Sequence, residues 1–146
     1  MAILETGIGG ERDSTNIFPH PGATGVTTIG IDHVPALGQT VEEIAWHKAG
    51  IFKSGSVAGI VIQDDAVLKV QVNLNLRYQR SNAALAIFLA QVYLVSINPD
   101  FSMTRDLVYS LQDIDLLGKS QIIKDKDNTW FISNGHNALG LKATIS

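Results

Sequence analysis

Two runs rich in Val, Ile and Thr, residues 25–31 and 57–62, flank a segment, residues 40–49, that carries a helix signature. This strand–helix–strand order constrains the fold more than any other feature of the chain. Thr40 can cap the first helical turn, and Glu43, three residues later, can return a bond to the Thr40 amide. Gly50 is placed to stop the helix. A strand that must return parallel to its predecessor needs such a crossover, so the order predicts an α/β fold with a mostly parallel sheet flanked by helices.

Other segments fit the same scheme. Residues 1–5 are apolar and break into Gly7-Ile8-Gly9-Gly10, which reads as a buried strand and its turn, as if the chain began in mid-domain. Residues 83–97 read as a long helix, capped by Ser81 or Asn82, apolar on most faces and therefore buried. Residues 102–111 suit a second helix. Residues 121–124 and 129–132 read as short strands joined by Asp125-Lys126-Asp127-Asn128, with a polar loop, residues 133–137, after them. Residues 63–76 are too short for a further helix-and-strand unit. Ligands in α/β sheets sit at the carboxyl ends of strands, so the polar loops at residues 5–16, at Asp32-His33 and at 133–137 are expected to converge on one site.

Composition removes several classes. With 146 residues, 45% of them hydrophobic, and a net charge of −3, the chain has one domain's worth of sequence and the material for a core. The pI near 5.7 argues against a nucleic-acid partner held by bulk charge. The absence of cysteine removes disulfides, thiolate metal sites and cysteine nucleophiles together. No uninterrupted apolar run reaches the roughly 18 residues of a membrane span, and no secretion signal is visible at the N-terminus.

Glycine motifs do not carry a nucleotide site here. In a G-x-G-x-x-G reading of Gly7 and Gly9 the third glycine falls on Arg12, and no helix pattern opens there. Gly118-Lys119-Ser120 imitates the tail of a P-loop, but its leading glycine falls on Asp113. The chemistry-bearing candidates are Glu5, at the end of a strand-like run, and His33, directly after the second strand. Each has an ordinary alternative, as a solvated carboxylate and as a loop histidine. One imidazole with oxygen ligands suits Mg²⁺ or Mn²⁺ better than Zn²⁺. Lys48 reads by itself as a solvated lysine near a helix C-terminus, where the helix dipole favours it.

Four stretches resemble the folylpolyglutamate synthase family, of the Mur-ligase-like type. They are Leu4-Glu5-Thr6-Gly7-Ile8-Gly9-Gly10-Glu11-Arg12-Asp13-Ser14-Thr15-Asn16, Ile31-Asp32-His33, Ala45-Trp46-His47-Lys48-Ala49-Gly50-Ile51-Phe52-Lys53 and Gln79-Arg80-Ser81-Asn82-Ala83-Ala84-Leu85-Ala86. The match is dense over residues 3–63 and 79–94 and loose over 119–137. It implies an incomplete P-loop-type sheet, the central Mur-ligase domain, in residues 1–118, with a deletion near 63–76. Residues 119–146 would then open the carboxy-terminal ligase domain.

The resemblance also implies chemistry. The family makes an acyl phosphate from ATP and a folate's γ-carboxylate, then joins that carboxylate to the amine of L-glutamate, within one-carbon metabolism. An anion attacking a triphosphate needs cations to neutralise both. Glu5, His33 and Lys48 match the family's ligands for a second Mg²⁺, with K⁺ as a further cation. Lys48 matches a lysine that is carbamylated into an anionic oxygen donor, a modification that needs the neutral amine. Asn82 and His136 match positions beside the nucleotide, and Lys119 stands where the family has an arginine, a point charge in place of a fork. Ser133 stands where the family has an aspartate. Catalytic weight falls on Lys48 and His33. The expected partners are ATP, tetrahydrofolate or its polyglutamates and L-glutamate, with no nucleic acid and no membrane. The chain is expected to be a monomer of the cytoplasm or the mitochondrion. Lacking a P-loop of its own, it is expected to be inactive alone. The alternative is a non-catalytic α/β remnant that binds metal or nucleotide weakly.

Overall fold

The computed structural model describes residues 1–60, 77–110, 119, 121–133 and 135–145. Residues 61–76, where the deletion is expected, lie outside that description. Strands β1 (Ala23–Val26) and β2 (Val57–Ile60) pair in parallel, with Ala23 opposite Val57 and Val26 opposite Ile60. Between them run a single-turn helix α1 (Val34–Leu37) and helix α2 (Val41–Ala49). The predicted α/β order is therefore present, with β1 beginning two residues before the expected run and ending at Val26.

Helix α2 forms where its caps demand. The Thr40 side chain accepts from the Glu43 amide at 3.2 Å, and Glu43 Oε2 accepts from the Thr40 and Gln39 amides at 3.1 and 2.7 Å. Two donors that a helix end leaves unpaired, the Thr40 and Glu43 amides, are thus satisfied, together with the Gln39 amide just before the cap. These bonds hold the Glu43 carboxyl below its ordinary value, the Gln39 amide contributing most. Gly50 follows the last helical residue. One face of α2 is anchored by Ile44, which is fully buried.

Helix α3 (Arg77–Ile97) crosses the sheet. Gly25 and Gly59 are register partners on the two strands. A Cβ built on Gly25 would lie 2.6 Å from Leu89 Cδ1, and one on Gly59 would lie 2.9 Å from Leu85 Cδ1. The paired glycines therefore form the shallow seat into which Leu85 and Leu89 settle. The helix starts at Arg77, so Ser81 and Asn82 lie within it and do not cap it.

The expectation of a buried α3 is also corrected. Ala84 and Leu85 are buried, whereas Phe88, Val95 and Ile97 are exposed, because two four-residue strands cover only one side of a helix this long. Its Tyr78–Ile97 stretch, with mean hydropathy 1.4, is long and apolar enough to cross a membrane by length and composition. The expectation that nothing reaches that length counted unbroken apolar runs, and interspersed polar residues hid the stretch. The helix packs here on β1 and β2.

Residues 1–5 form no strand, and Met1, Ile3 and Leu4 are exposed, so the expected buried strand is not there. Helix α4 (Arg105–Tyr109) is shorter than the expected 102–111 segment. Strands β3 (Gln121–Asp125) and β4 (Asn128–Ile132) form a separate antiparallel hairpin. Asp125 and Asn128 pair with each other, which leaves a two-residue Lys126-Asp127 turn with Lys126 in the left-handed region at φ 45°. Helix α5 (Ala138–Ile145) follows. Among the described residues the buried hydrophobic side chains are Val26, Leu37, Ile44, Ala84 and Leu85.

The glycine seat yields a test. Gly25→Val is expected to lower stability by about 1–3 kcal/mol, the usual cost of forcing methyl groups into a packed contact. Urea unfolding read by the loss of α3 helicity measures it, and an unchanged midpoint would remove the seat from the account.

Candidate functional site

Two polar joints bring the candidate loops to the ends of the sheet's crossover. The first fastens residues 7–16 to the end of α2. Asp13 Oδ2 accepts from the Gly7 and Ile8 amides at 2.9 and 3.0 Å, and its Oδ1 accepts from the Thr15 amide and hydroxyl at 2.9 and 2.6 Å. This ring of donors, led by the Thr15 hydroxyl, holds the Asp13 carboxyl down at about 2. Asn16 Nδ2 then donates to Gly10 O at 3.0 Å and to Gly50 O at 3.2 Å, across 34 residues of sequence.

Close backbone approach completes this joint. A Cβ on Gly10 would stand 2.5 Å from His47 O and 2.7 Å from Lys48 O, and one on Gly50 would stand 2.4 Å from the Glu11 amide nitrogen. Gly9, with φ 78°, lies against Leu37 of α1. The loop that follows Glu5 is therefore wedged between the helix that His33 opens and the turn that carries Lys48.

The second joint is centred on Asp32. Its Oδ1 accepts from the His33 amide at 2.8 Å, which stabilises the left-handed turn of His33 at φ 50°. His33 in turn opens α1, its carbonyl accepting from the Ala36 and Leu37 amides. Asp32 Oδ2 accepts from Asn137 Nδ2 at 2.8 Å and lies 3.6 Å from His136 Nε2 and 3.8 Å from His33 Nε2. Burial pushes the Asp32 carboxyl up, but the Asn137 and His33 hydrogen bonds and the two nearby imidazoles outweigh it and leave it below its ordinary value.

The expected convergence is thus visible for two loops, Asp32-His33 and 133–137, while the 7–16 loop docks on α1 and the end of α2. Glu5 is exposed, His33 and Lys48 are half-buried, and Asn82 and Lys119 are exposed. Among the described residues no group of three or more His, Asp or Glu side chains is placed to hold a metal ion. Glu5 and His33 supply a carboxylate and an imidazole, and an unmodified Lys48 would bring a positive charge. Taken together as a donor set, these side chains would suit a hard divalent cation only with Lys48 in an anionic, carbamylated form.

Asp13, Asn16, Asp32 and Asn137 were not assigned roles from sequence. Their signal was present in the polar loops but weak, because Asp and Asn in loops most often serve local turns. An open depression of about 580 Å³ beside α1 is lined by Val34, Thr40 and Glu43, whose polar groups are already engaged in the α2 cap.

A parallel strand pair joined through helices, with a long helix laid across it, is an α/β unit, and the solved structures it superposes on give it the fold of the Mur-type ligases. The chain superposes on an FPGS–AMPPCP–folate complex with a TM-score of 0.77 at 26% identity, over 97% of this chain and 45% of that one. The apo form of L. casei FPGS gives a TM-score of 0.73 at 26% identity with the same coverage. The Thermotoga maritima enzyme shares the fold at 18% identity, with a TM-score of 0.63 over 97% of this chain and 41% of that one. No protein-family model matches the chain.

Within that class the chain is homologous to the folylpolyglutamate synthases along nearly its whole length. It is 36% identical to folylpolyglutamate synthase of Neurospora crassa over 171 residues, 97% of this chain and 32% of the relative. It is 30% identical to the mitochondrial folylpolyglutamate synthase of Cricetulus griseus over 194 residues, 99% of this chain and 33% of the relative. The Saccharomyces cerevisiae enzyme is 33% identical over 168 residues, 92% of this chain and 31% of the relative. The chain thus spans about a third of the length of the curated relatives it matches.

The Asp13 ring predicts a pH dependence. A carboxyl held below its ordinary value contributes fully above the unfolded value of 3.8, and that contribution is lost as pH falls through about 2. Amide exchange at Gly7, Ile8 and Thr15 is expected to lose protection in that window. In Asp13→Ala the protection should be missing already at neutral pH; retained protection there would show that the ring does not hold the loop.

Proposed function

We propose that the chain carries part of an ATP-dependent folate polyglutamylating ligase: the region that orients nucleotide and metal while a γ-carboxylate is phosphorylated and then joined to L-glutamate. The observation that carries this reading is the agreement of sequence and fold over nearly the whole chain, with an FPGS–AMPPCP–folate complex among its structural relatives. In this reading residues 1–118 belong to the central ATP-binding domain, and residues 119–146 open the carboxy-terminal ligase domain. The Neurospora alignment covers 171 residues, more than the 146 of this chain, so the relative has residues without a counterpart here. That supports an internal deletion, which this reading places near 63–76.

The residue roles are those the family resemblance implies, and the joints described above support the nearness of their segments. The loop after Glu5 is locked between α1 and the end of α2, so Glu5, His33 and Lys48 belong to adjacent segments. Glu5, His33 and a carbamylated Lys48 would hold Mg²⁺, which when bound neutralises charge on the phosphates. His136, kept beside Asp32, stands on the side of the nucleotide, with Asn82 and Lys119 as further contacts. Tetrahydrofolate or its polyglutamates and L-glutamate are the substrates, and a monomer in the cytosol or the mitochondrion is the working unit.

These 146 residues contain no P-loop motif, and phosphoryl transfer draws much of its electrostatic support from one. The chain alone is therefore assigned binding without turnover. Phosphate release from ATP, with tetrahydrofolate and glutamate supplied, is expected to stay at background. Glutamate-dependent release would overturn the inactive assignment.

Metal binding is tested separately. Mg²⁺ with bicarbonate at about 100 times its dissociation constant is expected to stabilise the wild type by about 2.7 kcal/mol, the amount set by ligand binding to the folded state alone. Lys48→Ala should lose most of that gain. Equal melting shifts in both proteins would remove Lys48 from the ligand set.

A further inference from the structure

We propose that Asp32 is a positioning residue whose single carboxylate joins the loop carrying His33 to the loop carrying His136, setting both imidazoles at one oxygen. The inference deepens the nucleotide reading above and rests on it only for the binding arm of the test. Each Asp32 oxygen has a distinct duty. Oδ1 takes the His33 amide and shapes the turn that presents that ring, while Oδ2 takes Asn137, 105 residues away in sequence.

Asn137 is spoken for at both ends of its amide. Its Nδ2 donates to Asp32 at 2.8 Å, and its Oδ1 accepts from the Gly140 amide at 2.7 Å in the first turn of α5. The loop it closes has little slack, since a Cβ on Gly135 would meet the Gly140 carbonyl carbon at 2.9 Å. The position of His136 is thus set by one rigid piece of chain, comprising the loop and the start of α5, and that piece is attached through Asp32.

The two imidazole contacts, at 3.6 and 3.8 Å with His136 largely exposed, are worth little as ion pairs. Their value is geometric. A carboxylate is required because an asparagine offers one oxygen, which can serve the His33 amide or Asn137 but not both in this arrangement.

Hydrogen exchange on the full chain, resolved by peptide, reads the joint. Asp32→Ala and Asp32→Asn are each expected to raise exchange over residues 135–140 about tenfold, the scale of losing one hydrogen bond to a charged group, with residues 40–50 unchanged. Asn137→Ala should do the same, and the Asp32→Ala/Asn137→Ala double variant should add nothing further. Asp32→Glu, which keeps both oxygens, should retain part of the protection. Unchanged exchange over 135–140 in Asp32→Ala, or additive effects in the double variant, would overturn the proposal.

The binding arm uses AMPPCP, whose dissociation constant is expected to rise about tenfold in Asp32→Ala. Equal AMPPCP affinity in wild type and Asp32→Ala would refute the positioning role. If the wild type does not bind AMPPCP, the nucleotide reading fails, while the exchange data still decide whether Asp32 is the joint.

Discussion

Everything at the candidate site depends on the parallel pairing of two four-residue strands. Parallel neighbours cannot be joined by a tight turn, so the chain must leave β1, cross over and return to β2. The crossover carries His33, α1, α2 and Lys48, and its ends fall where the strand pair delivers them. Helix α3 holds the pair together from one face, and it can approach closely because Gly25 and Gly59 sit opposite each other. The catalytic candidates are thus placed by a scaffold whose tightest contact contains no chemistry.

On that scaffold, polar joints complete the placement. Asp13 and Asn16 shape the 7–16 loop and fasten it to Gly50, while Asp32 and Asn137 tie the His33 turn to the start of α5. Each uses a short side chain with several acceptors or donors to satisfy backbone groups of an irregular loop, which would otherwise be left unpaired. Such loops hold a defined shape without secondary structure. The hydrophobic core beside them has five buried apolar side chains among the described residues, and the long helix is exposed along much of its length.

Local signals were the most legible in the sequence. The Thr40–Glu43 box announced α2 because both partners lie within one helical turn, and the hairpin was readable from two short apolar runs joined by Asp and Asn residues that suit a turn. The failures came where burial was inferred from apolarity alone. Residues 1–5 and most of α3 are apolar, but burial needs a covering surface, and the two short strands provide one only for Ala84, Leu85 and their neighbours. Asn82 shows a related limit: a good capping residue type caps nothing when the helix begins five residues earlier, at Arg77.

By itself the sequence determined the α/β order, the capped helix, the terminal hairpin and the likeness to a ligase family, because each is written in residues close together along the chain or in long ordered motifs. Only the tertiary structure decided that Asp32 meets Asn137 across 105 residues, that Asn16 reaches Gly50, and that two glycines on separate strands share one helix. The strand-end rule brought the Asp32-His33 and 133–137 loops together, but the residues in contact have types that suit many local turns, so the partner of each is chosen by where the crossover and the strand register bring the loops.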